Sequence, residues 1–201
     1  MPEIHPAFQG LLEGFEFEIL NSPEHSNFGL WPDLSFSFFN DGWFRFAAEN
    51  GGEPLISREW PLGSSLLTAT PAILLDFFND GFARCLDAGR PWEHKYECSS
   101  PEVYRLMHQI VYPLRNSAGF LVVNSLLIER EMQRSPEKEN PDDYFDPHGF
   151  AHQCAHCRRV KNLRVKDRWD WIPALVAAPH PDVSHGLCPV CRDFYYPVRK
   201  N

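Results

Sequence analysis

The chain has 201 residues, of which 43% are hydrophobic, and a formal net charge of −8. This is enough apolar material for one domain with a sizeable core and a second, smaller one. No run of about 18 apolar residues is present, so we expect no helix that spans a membrane. The N-terminal residues lack the basic and apolar regions of a secretory signal peptide. We therefore expect a cytoplasmic protein with no membrane partner.

The first clear pattern along the chain is that of a β-hairpin. Residues 27–30 and 34–39 are rich in apolar and aromatic residues, and a Pro-Asp turn signal lies between them. Strict alternation in the second strand would place Leu34, Phe36 and Phe38 on one face of the sheet.

Two helices are expected after the hairpin. Asn40 or Asp41 can cap the first helix, which then runs through Glu49 to a Gly-Gly pair. The second helix has the clearest pattern, because apolar residues recur at helical spacing over residues 71–88 and Gly89 follows as a stop signal.

Three strands are predicted after the long helix, at residues 92–98, 104–114 and 120–128. Residues 131–150 then combine three prolines with many charges, which predicts a linker. Two strands, helices and three more strands make an α+β domain over residues 1–130. Its antiparallel five-stranded sheet would carry helices on one face.

This element order, together with several local strings, resembles a PAS domain whose core covers about residues 20–130. The strings are DLSFSFFNDGWFRFAAENGG, PLGSSLL, GRPWEHKYECSS, YRLMHQIVYPLRN and GFLVVNSLLIE. A PAS domain implies a sensory or protein-interaction module, often a homodimer, sometimes with a small molecule between the sheet and the long helix. The flavin-adduct motif of light-sensing PAS domains is absent, so that chemistry is not expected.

His94 is the residue of this domain that could bind a cofactor. Alternation along residues 92–98 places it on one face with Trp92, Tyr96 and Cys98. There it could ligate haem iron or contact another PAS ligand. The alternative is a hydrogen-bonded histidine in a sheet whose inward aromatic side chains fill the interior.

Four cysteines in the C-terminal part of the chain form two CxxC pairs. Cys154 and Cys157 make the first pair, and Cys188 and Cys191 make the second. Four thiolates at this spacing are the ligand set of a tetrahedral structural zinc site. Iron in a rubredoxin-like site and redox-active pairs are the alternatives, although a redox CxxC is usually found at the start of a helix in a βαβ unit. We favour Zn²⁺.

The sequence therefore predicts a small four-cysteine module over residues 151–201. We expect this module to need its metal to fold, because so short a segment buries little apolar surface. The residues available for a small core are Val160, Leu163, Val165, Trp169, Trp171, Ile172, Leu175, Val176, Phe194 and Tyr195. His152, His156 and His185 are expected to be bystanders or to contact the ligands, with replacement of a cysteine as the alternative. A closed four-ligand site would be structural rather than catalytic.

The same module is basic, with nine Lys and Arg against four Asp and Glu. Its candidates for contact with nucleic acid or a protein partner are Arg158, Arg159, Lys161 and Arg164. Such a patch could neutralise phosphates. It could equally dock on an acidic surface or remain solvated.

The segment QCAHCRRVKN, the Trp-rich stretch after it and SHGLCPVC are similar to cysteine-rich tails of bacterial signalling proteins, where they follow sensor or receiver domains. No P-loop, GxGxxG or HExxH motif is present, and Ser184 next to His185 is no catalytic pair by adjacency alone. We expect a non-enzymatic bacterial signalling protein in which the PAS-like domain senses or dimerises and the zinc module contacts a protein partner. The alternatives are a nucleic-acid-binding regulator and a haem or small-molecule sensor.

Overall fold

The computed structural model of the chain describes residues 1–100, 103–131, 140–172, 175 and 181–196. The chain groups into two compact units. The first contains Met1–His94 and Met107–Ile128, and the second contains Lys95–Leu106 and Glu129–Asn201. Within the described residues, no helix combines the length and hydropathy that a membrane crossing requires.

The larger of the two sheets has six antiparallel strands in the order β1-β3-β2-β6-β5-β4. The strands are β1 (Glu3–Ile4), β2 (Ser26–Leu30), β3 (Phe36–Phe39), β4 (Trp92–Glu97), β5 (Val103–Pro113) and β6 (Phe120–Glu131). The sequence predicted five of them. The strand it missed is β1, which has only two residues and pairs with β3. A segment this short carries no readable alternation.

The helices of the described residues are short, with one exception. They are α1 (Pro6–Gln9), α2 (Phe17–Leu20), α3 (Asp41–Glu49), α4 (Leu55–Glu59), α5 (Leu75–Ala88) and α6 (Pro189–Tyr195). Helix α3 begins at the predicted cap, where the Asn40 side chain accepts a hydrogen bond from Trp43 N. Helix α5 ends where predicted, at Gly89, which adopts the left-handed conformation with φ 57°.

Both faces of the sheet in the first unit are covered. On one face, Phe82 of α5 packs in a cluster with Phe36 and Phe120, and side chains of α3 lie against the same cluster. On the opposite face, Phe8 of α1 packs with Leu121. The prediction of helices on one face alone was therefore wrong, because the N-terminal segment covers the other.

A β-bulge changes the face on which the aromatic residues of β3 lie. The pairing of β2 with β3 shifts register just before Leu30, which is opposite Phe36. As a result Phe36 and Phe39 share one cluster, whereas Phe38 packs with Phe8 on the opposite face. The prediction that Phe36 and Phe38 share a face was wrong because an unpaired residue interrupts the alternation.

The second unit has a four-stranded sheet with the order β10-β7-β8-β9. The strands are β7 (Ala151–Cys154), β8 (Val160–Lys161), β9 (Trp169–Asp170) and β10 (Val183–Gly186). Strand β10 runs parallel to β7, and β8 pairs antiparallel with both β7 and β9. The ends of β4, β5 and β6 also belong to this unit.

The core of the second unit differs from the one expected. Tyr144, Ala151 and Val160 are buried at its centre, although Tyr144 lies in the segment 131–150 that was predicted to be a linker. Of that segment, residues 132–139 lie outside the described residues, as does the core candidate Val176. Three other core candidates are exposed, namely Leu163, Val165 and Phe194.

Candidate metal centre

The first CxxC pair lies on a tight turn at the end of β7. Cys154 N donates a hydrogen bond to Arg159 O at 2.8 Å, and Arg158 N donates to Cys154 O at 2.9 Å. Arg158 adopts a left-handed conformation with φ 61°, which lets the chain reverse immediately after Cys157. The turn directs both sulfurs of the pair to the interior, where neither cysteine is exposed.

The second pair lies at the N-terminus of α6. Cys188 is the N-cap residue, and Pro189 follows it at the first helical position. The Cys188 Sγ accepts a hydrogen bond from Cys191 N at 3.4 Å, as the side chain of an N-cap residue does. One helical turn therefore holds both sulfurs on the same side.

The parallel pairing of β10 with β7 brings the two pairs together. Gly186 is opposite Cys154 in that pairing, and Ala155 N donates to Gly186 O at 2.9 Å. Cys188 follows two residues after Gly186 and so reaches the turn that carries Cys157. The two sulfurs, Cys157 Sγ and Cys188 Sγ, are 3.7 Å apart.

These four cysteines could hold a metal ion such as zinc. Their sulfurs all lie within 4.8 Å of one another, and all four residues are buried. A zinc–sulfur distance of about 2.3 Å gives a tetrahedron whose sulfurs are about 3.8 Å apart, close to the observed 3.7 Å. The six cysteines of the chain are free, so no disulfide competes for these sulfurs. A four-sulfur set of this size also suits iron.

The electrostatics of the cluster favour a bound cation. Hydrogen bonds from Cys157, Cys188 and Cys191 lower the pKa of Cys154, and hydrogen bonding within the cluster raises the pKa of Cys157 and of Cys191. Four buried thiolates without a cation would repel one another. A divalent cation removes this conflict by compensating the charge of all four thiolates.

None of the three nearby histidines belongs to the ligand group of the described residues, which contains the cysteines alone. The His156 ring stacks on Tyr195 with centroids 4.4 Å apart. His152 Nδ1 lies 2.9 Å from Ser184 Oγ, and His185 is exposed. The serine thus contacts the histidine opposite it on β7, not its sequence neighbour, a pairing that adjacency in sequence did not suggest.

The basic run does not form one exposed surface. Arg159 is buried, which argues against the contact with nucleic acid or a partner that the sequence suggested for it. Arg164 is exposed, and its Nε lies 2.6 Å from Asp143 Oδ1. Lys161 is exposed and Arg158 is half-buried. A run of basic residues is usually solvated. Here, however, two of its arginines lie beside acidic side chains that are distant in sequence, Arg159 beside Glu97 and Arg164 beside Asp143.

Two residues that the sequence analysis did not single out surround Arg159. Glu97 Oε2 lies 3.4 Å from Arg159 Nε, and the Arg159 guanidinium carbon lies 4.6 Å from the centre of the Tyr104 ring. Alternation had placed Glu97 on the face of its strand opposite His94. Its side chain is only 5% exposed. Nothing in a single sequence marks a glutamate or a tyrosine as the buried neighbour of a distant arginine. Neither residue could therefore have been found in advance.

His94 lies in the first unit within an aromatic group. Its ring stacks on Trp92 with centroids 4.7 Å apart and meets Phe77 and Phe78 edge-on at 5.4 and 5.5 Å. The absence of a side chain at Gly81 permits this packing, because a Cβ there would lie 2.3 Å from the Trp92 ring. His94 is therefore held among aromatic rings and only 8% exposed.

The groove found in the first unit lies elsewhere. It has a volume of about 410 Å³ and lies between α5 and the sheet, beside the connection from β2 to β3. Its apolar lining includes Leu34, Phe82, Leu86 and Phe120, and Asp33 and Asp87 also line it. His94 is not among the lining residues, so the cofactor role predicted for His94 has no support from this groove.

Comparison with protein-family models finds no match to this chain, and comparison with curated proteins finds none either.

Proposed function

We propose that the protein is a non-enzymatic bacterial signalling adaptor of the cytoplasm. In this proposal the first unit is a PAS-like module that senses or dimerises, and the second unit is a zinc-stabilised module that contacts a protein partner. The observation that carries the proposal is the set of four buried cysteines whose sulfurs all lie within 4.8 Å of one another. Cys154, Cys157, Cys188 and Cys191 would hold the metal.

A structural role for the metal is supported by the ligand set itself. Four protein thiolates complete a tetrahedron and leave no position for water or substrate, which a catalytic zinc requires. Near the cysteines, Tyr144, Ala151 and Val160 form a buried hydrophobic cluster, and the Tyr144 hydroxyl donates to Asp170 Oδ2 at 2.8 Å beside it. A small unit of this kind buries little apolar surface, so metal binding would supply part of its folding free energy.

The PAS-like assignment is supported by element order. Hairpin strands β2 and β3, short helices, the long helix α5 and strands β4, β5 and β6 follow one another in the order on which the resemblance was based. The groove of about 410 Å³ between α5 and the sheet offers room for a small ligand. A module of this kind acts by binding and by dimerising, which fits a chain without a recognisable catalytic motif.

A protein partner is favoured over nucleic acid. A protein that binds the phosphates of nucleic acid independently of base sequence needs a continuous cationic surface. Arg159 is buried beside Glu97, and Arg164 is paired with Asp143. The remaining candidates, Arg158 and Lys161, are too few to neutralise many phosphates.

Native and denaturing mass spectra of the purified full chain test the proposal. We expect a native mass of a dimer with one zinc per chain and no other adduct. Replacing Cys154 and Cys157 by serine should abolish zinc uptake. Cys98→Ser is the matched control, because this cysteine lies outside the ligand group, and it should keep one zinc per chain. A bound organic mass would instead make the first unit a ligand sensor, with His94 the first residue to replace.

Hydrogen–deuterium exchange with and without a chelator gives the second test. We expect protection of residues 151–161 to fall sharply after complete metal removal. A second unit that stays fully protected without metal would contradict the structural role. Measurement of binding to single- and double-stranded DNA and RNA at low salt completes the set, and strong salt-dependent binding there would favour the nucleic-acid alternative.

A further inference from the structure

The groove of the first unit combines an apolar floor with a polar rim. Leu34, Phe82 and Phe120 line it and are at most 6% exposed, so they form its floor. Asp33 and Asp87 also line it but are exposed, so they belong to its rim. Its volume of about 410 Å³ lies within the range of about 300–1,000 Å³ that is typical of small-molecule sites. The groove therefore has both the size and the lining of such a site.

The rim of the groove carries negative charge that nothing in the first unit compensates. No lysine or arginine is found among its described lining residues. Neither Asp33 nor Asp87 takes part in an ion pair with any residue that the structure describes. Two uncompensated carboxylates beside one apolar cavity attract a cationic ligand and repel an anionic one.

The Asp33 carboxylate is held in place by the connection between β2 and β3. Its Oδ1 accepts hydrogen bonds from Ser35 N at 3.0 Å and from Ser35 Oγ at 2.6 Å, which leaves Oδ2 for a ligand. These bonds lower the pKa of Asp33, so the carboxylate is ionised at neutral pH. The next residue, Leu34, is fixed through its backbone, because its N–H donates to Trp31 O and its carbonyl accepts from Leu66 N, both at 2.9 Å. The charge is thus presented from a preorganised loop.

Asp87 lies where an acidic residue does not help its own helix. It belongs to the last turn of α5, which contains no basic residue. The C-terminal end of a helix carries a partial negative charge, so a cation is favoured there and a carboxylate is not. Helix stability therefore does not explain this aspartate. A cationic ligand does, because it would meet the carboxylate and the negative end of the helix dipole together.

We propose that this groove binds a small organic cation, an amine with an aromatic or aliphatic body. The body would lie on the apolar floor, and the ammonium group would face Asp33 and Asp87. The inference rests on the proposed function, because it names the class of signal that the first unit would sense. A basic side chain of a partner protein carries the same charge, but a stable protein interface needs about 800 Å² from each partner, whereas a cavity of this volume suits a small molecule.

The first test compares two probes of nearly equal size on the full chain, 2-phenylethylamine and the neutral 2-phenylethanol. Binding is followed by chemical-shift titration of isotope-labelled protein, which also reports the residues that the probe contacts. One exposed ion pair contributes about 1.4- to 5-fold to affinity, so two should favour the amine by about 2- to 30-fold. Raising the salt concentration should reduce this preference, because exposed charges are screened.

Replacement of both carboxylates separates charge from shape. The double variant Asp33→Asn with Asp87→Asn keeps the size of the rim. We expect it to bind the amine no better than the alcohol and to bind the alcohol as the wild type does. Asp76→Asn is the matched control, since Asp76 is exposed in the first turn of the same helix and does not line the groove. A preference for the amine that persists in the double variant would overturn the inference.

Ala83→Trp tests the apolar cavity itself. Ala83 is exposed and lines the groove, so the indole should fill the cavity without disturbing the core, and both probes should lose binding. Ala88→Trp is the control, because Ala88 is exposed on α5 but does not line the groove. Undiminished binding in Ala83→Trp, equal affinity for the two probes or no binding of the amine at millimolar concentration would each overturn the inference. Binding of a lysine-rich amphipathic peptide without binding of the free amine would also overturn it and assign the groove to a protein partner.

Failure of this inference and failure of the proposed function are distinguishable. A wild-type chain that is dimeric and holds one zinc per chain, but does not bind the amine, refutes the inference alone. A chain that binds the amine in the groove but takes up no zinc refutes the zinc-stabilised adaptor and leaves the ligand class of the groove intact.

Discussion

Tyr144→Phe is the substitution whose effect on the second unit can be worked out most directly. Tyr144 is 1% exposed, and its hydroxyl donates to Asp170 Oδ2 at 2.8 Å. Asp170 is fully buried, and its same oxygen accepts from Arg168 Nε at 2.7 Å. Phenylalanine fills the same volume without the hydroxyl. The substitution therefore removes one hydrogen bond to a buried carboxylate and creates no large cavity.

The expected cost follows from that geometry. A hydrogen bond to a charged group contributes about 1.5–3 kcal/mol, more than one between neutral groups. Asp170 keeps Arg168, so the carboxylate is not left alone and we expect a loss of about 2 kcal/mol in the free energy of unfolding. Because metal binding is linked to folding of this unit, the same free energy should lower the apparent zinc affinity by roughly 30-fold.

The assay is urea unfolding of the zinc-saturated chain together with a chelator competition on the same preparation. Tyr112→Phe is the control, since Tyr112 lies in the first unit, and its zinc affinity should be that of the wild type. Equal losses of stability and of binding free energy in Tyr144→Phe would support the linkage. Reduced stability with unchanged zinc affinity would refute it, because the four cysteines would then bind metal without folding the unit.

Three further predictions concern other buried groups. The Tyr104 hydroxyl is buried without a hydrogen-bond partner among the described residues. Tyr104→Phe should therefore leave the free energy of unfolding unchanged or raise it by up to about 1 kcal/mol. A lower free energy of unfolding would mean that the hydroxyl has a partner in the zinc-bound protein. Gly81→Ala should destabilise the protein by about 1–3 kcal/mol in urea unfolding. The new Cβ would lie 2.3 Å from the Trp92 ring, and this clash outweighs the higher helix propensity of alanine. A stabilised variant would contradict this packing. Burial raises the pKa of the Cys85 thiol, so Cys85 should react slowly with a thiol reagent at pH 8. Removal of the metal by a chelator should add four fast-reacting thiols. An unchanged number of fast-reacting thiols after chelation would argue against metal at the four cysteines.

Local features of the fold were predictable because their causes are local. The cap at Asn40 and the stop at Gly89 depend on the conformations of single residues, and both are where the sequence placed them. The four cysteines were identifiable for the same reason, since a CxxC spacing fits one tight turn or one helical turn. The bulge that turns Phe38 to the opposite face is also local, but no residue type in β2 or β3 announces it.

The contacts that complete the candidate site could not be predicted, because they join residues far apart in the chain. The parallel pairing of Ala151–Cys154 with Val183–Gly186 determines how the two CxxC pairs meet, and neither strand shows clear alternation. Arg159 is buried beside Glu97, which alternation placed only on the face of its strand opposite His94, in a domain separate from the cysteine module. A charge pattern cannot distinguish a solvated arginine from a buried one whose partner is remote.

The discontinuity of the second unit changes how the protein should be divided for experiments. A boundary within residues 131–150 separates Arg159 from Glu97 and Tyr104, which belong to Lys95–Leu106 of the same compact unit. A chain cut at that boundary would leave the Glu97 carboxylate and the Tyr104 ring without the guanidinium that covers them. The C-terminal piece would keep all four cysteines but lack the two side chains that hold Arg159. We therefore expect the isolated piece to bind zinc more weakly than the full chain, and equal affinities would show that the ends of β4 and β5 contribute nothing to the metal centre.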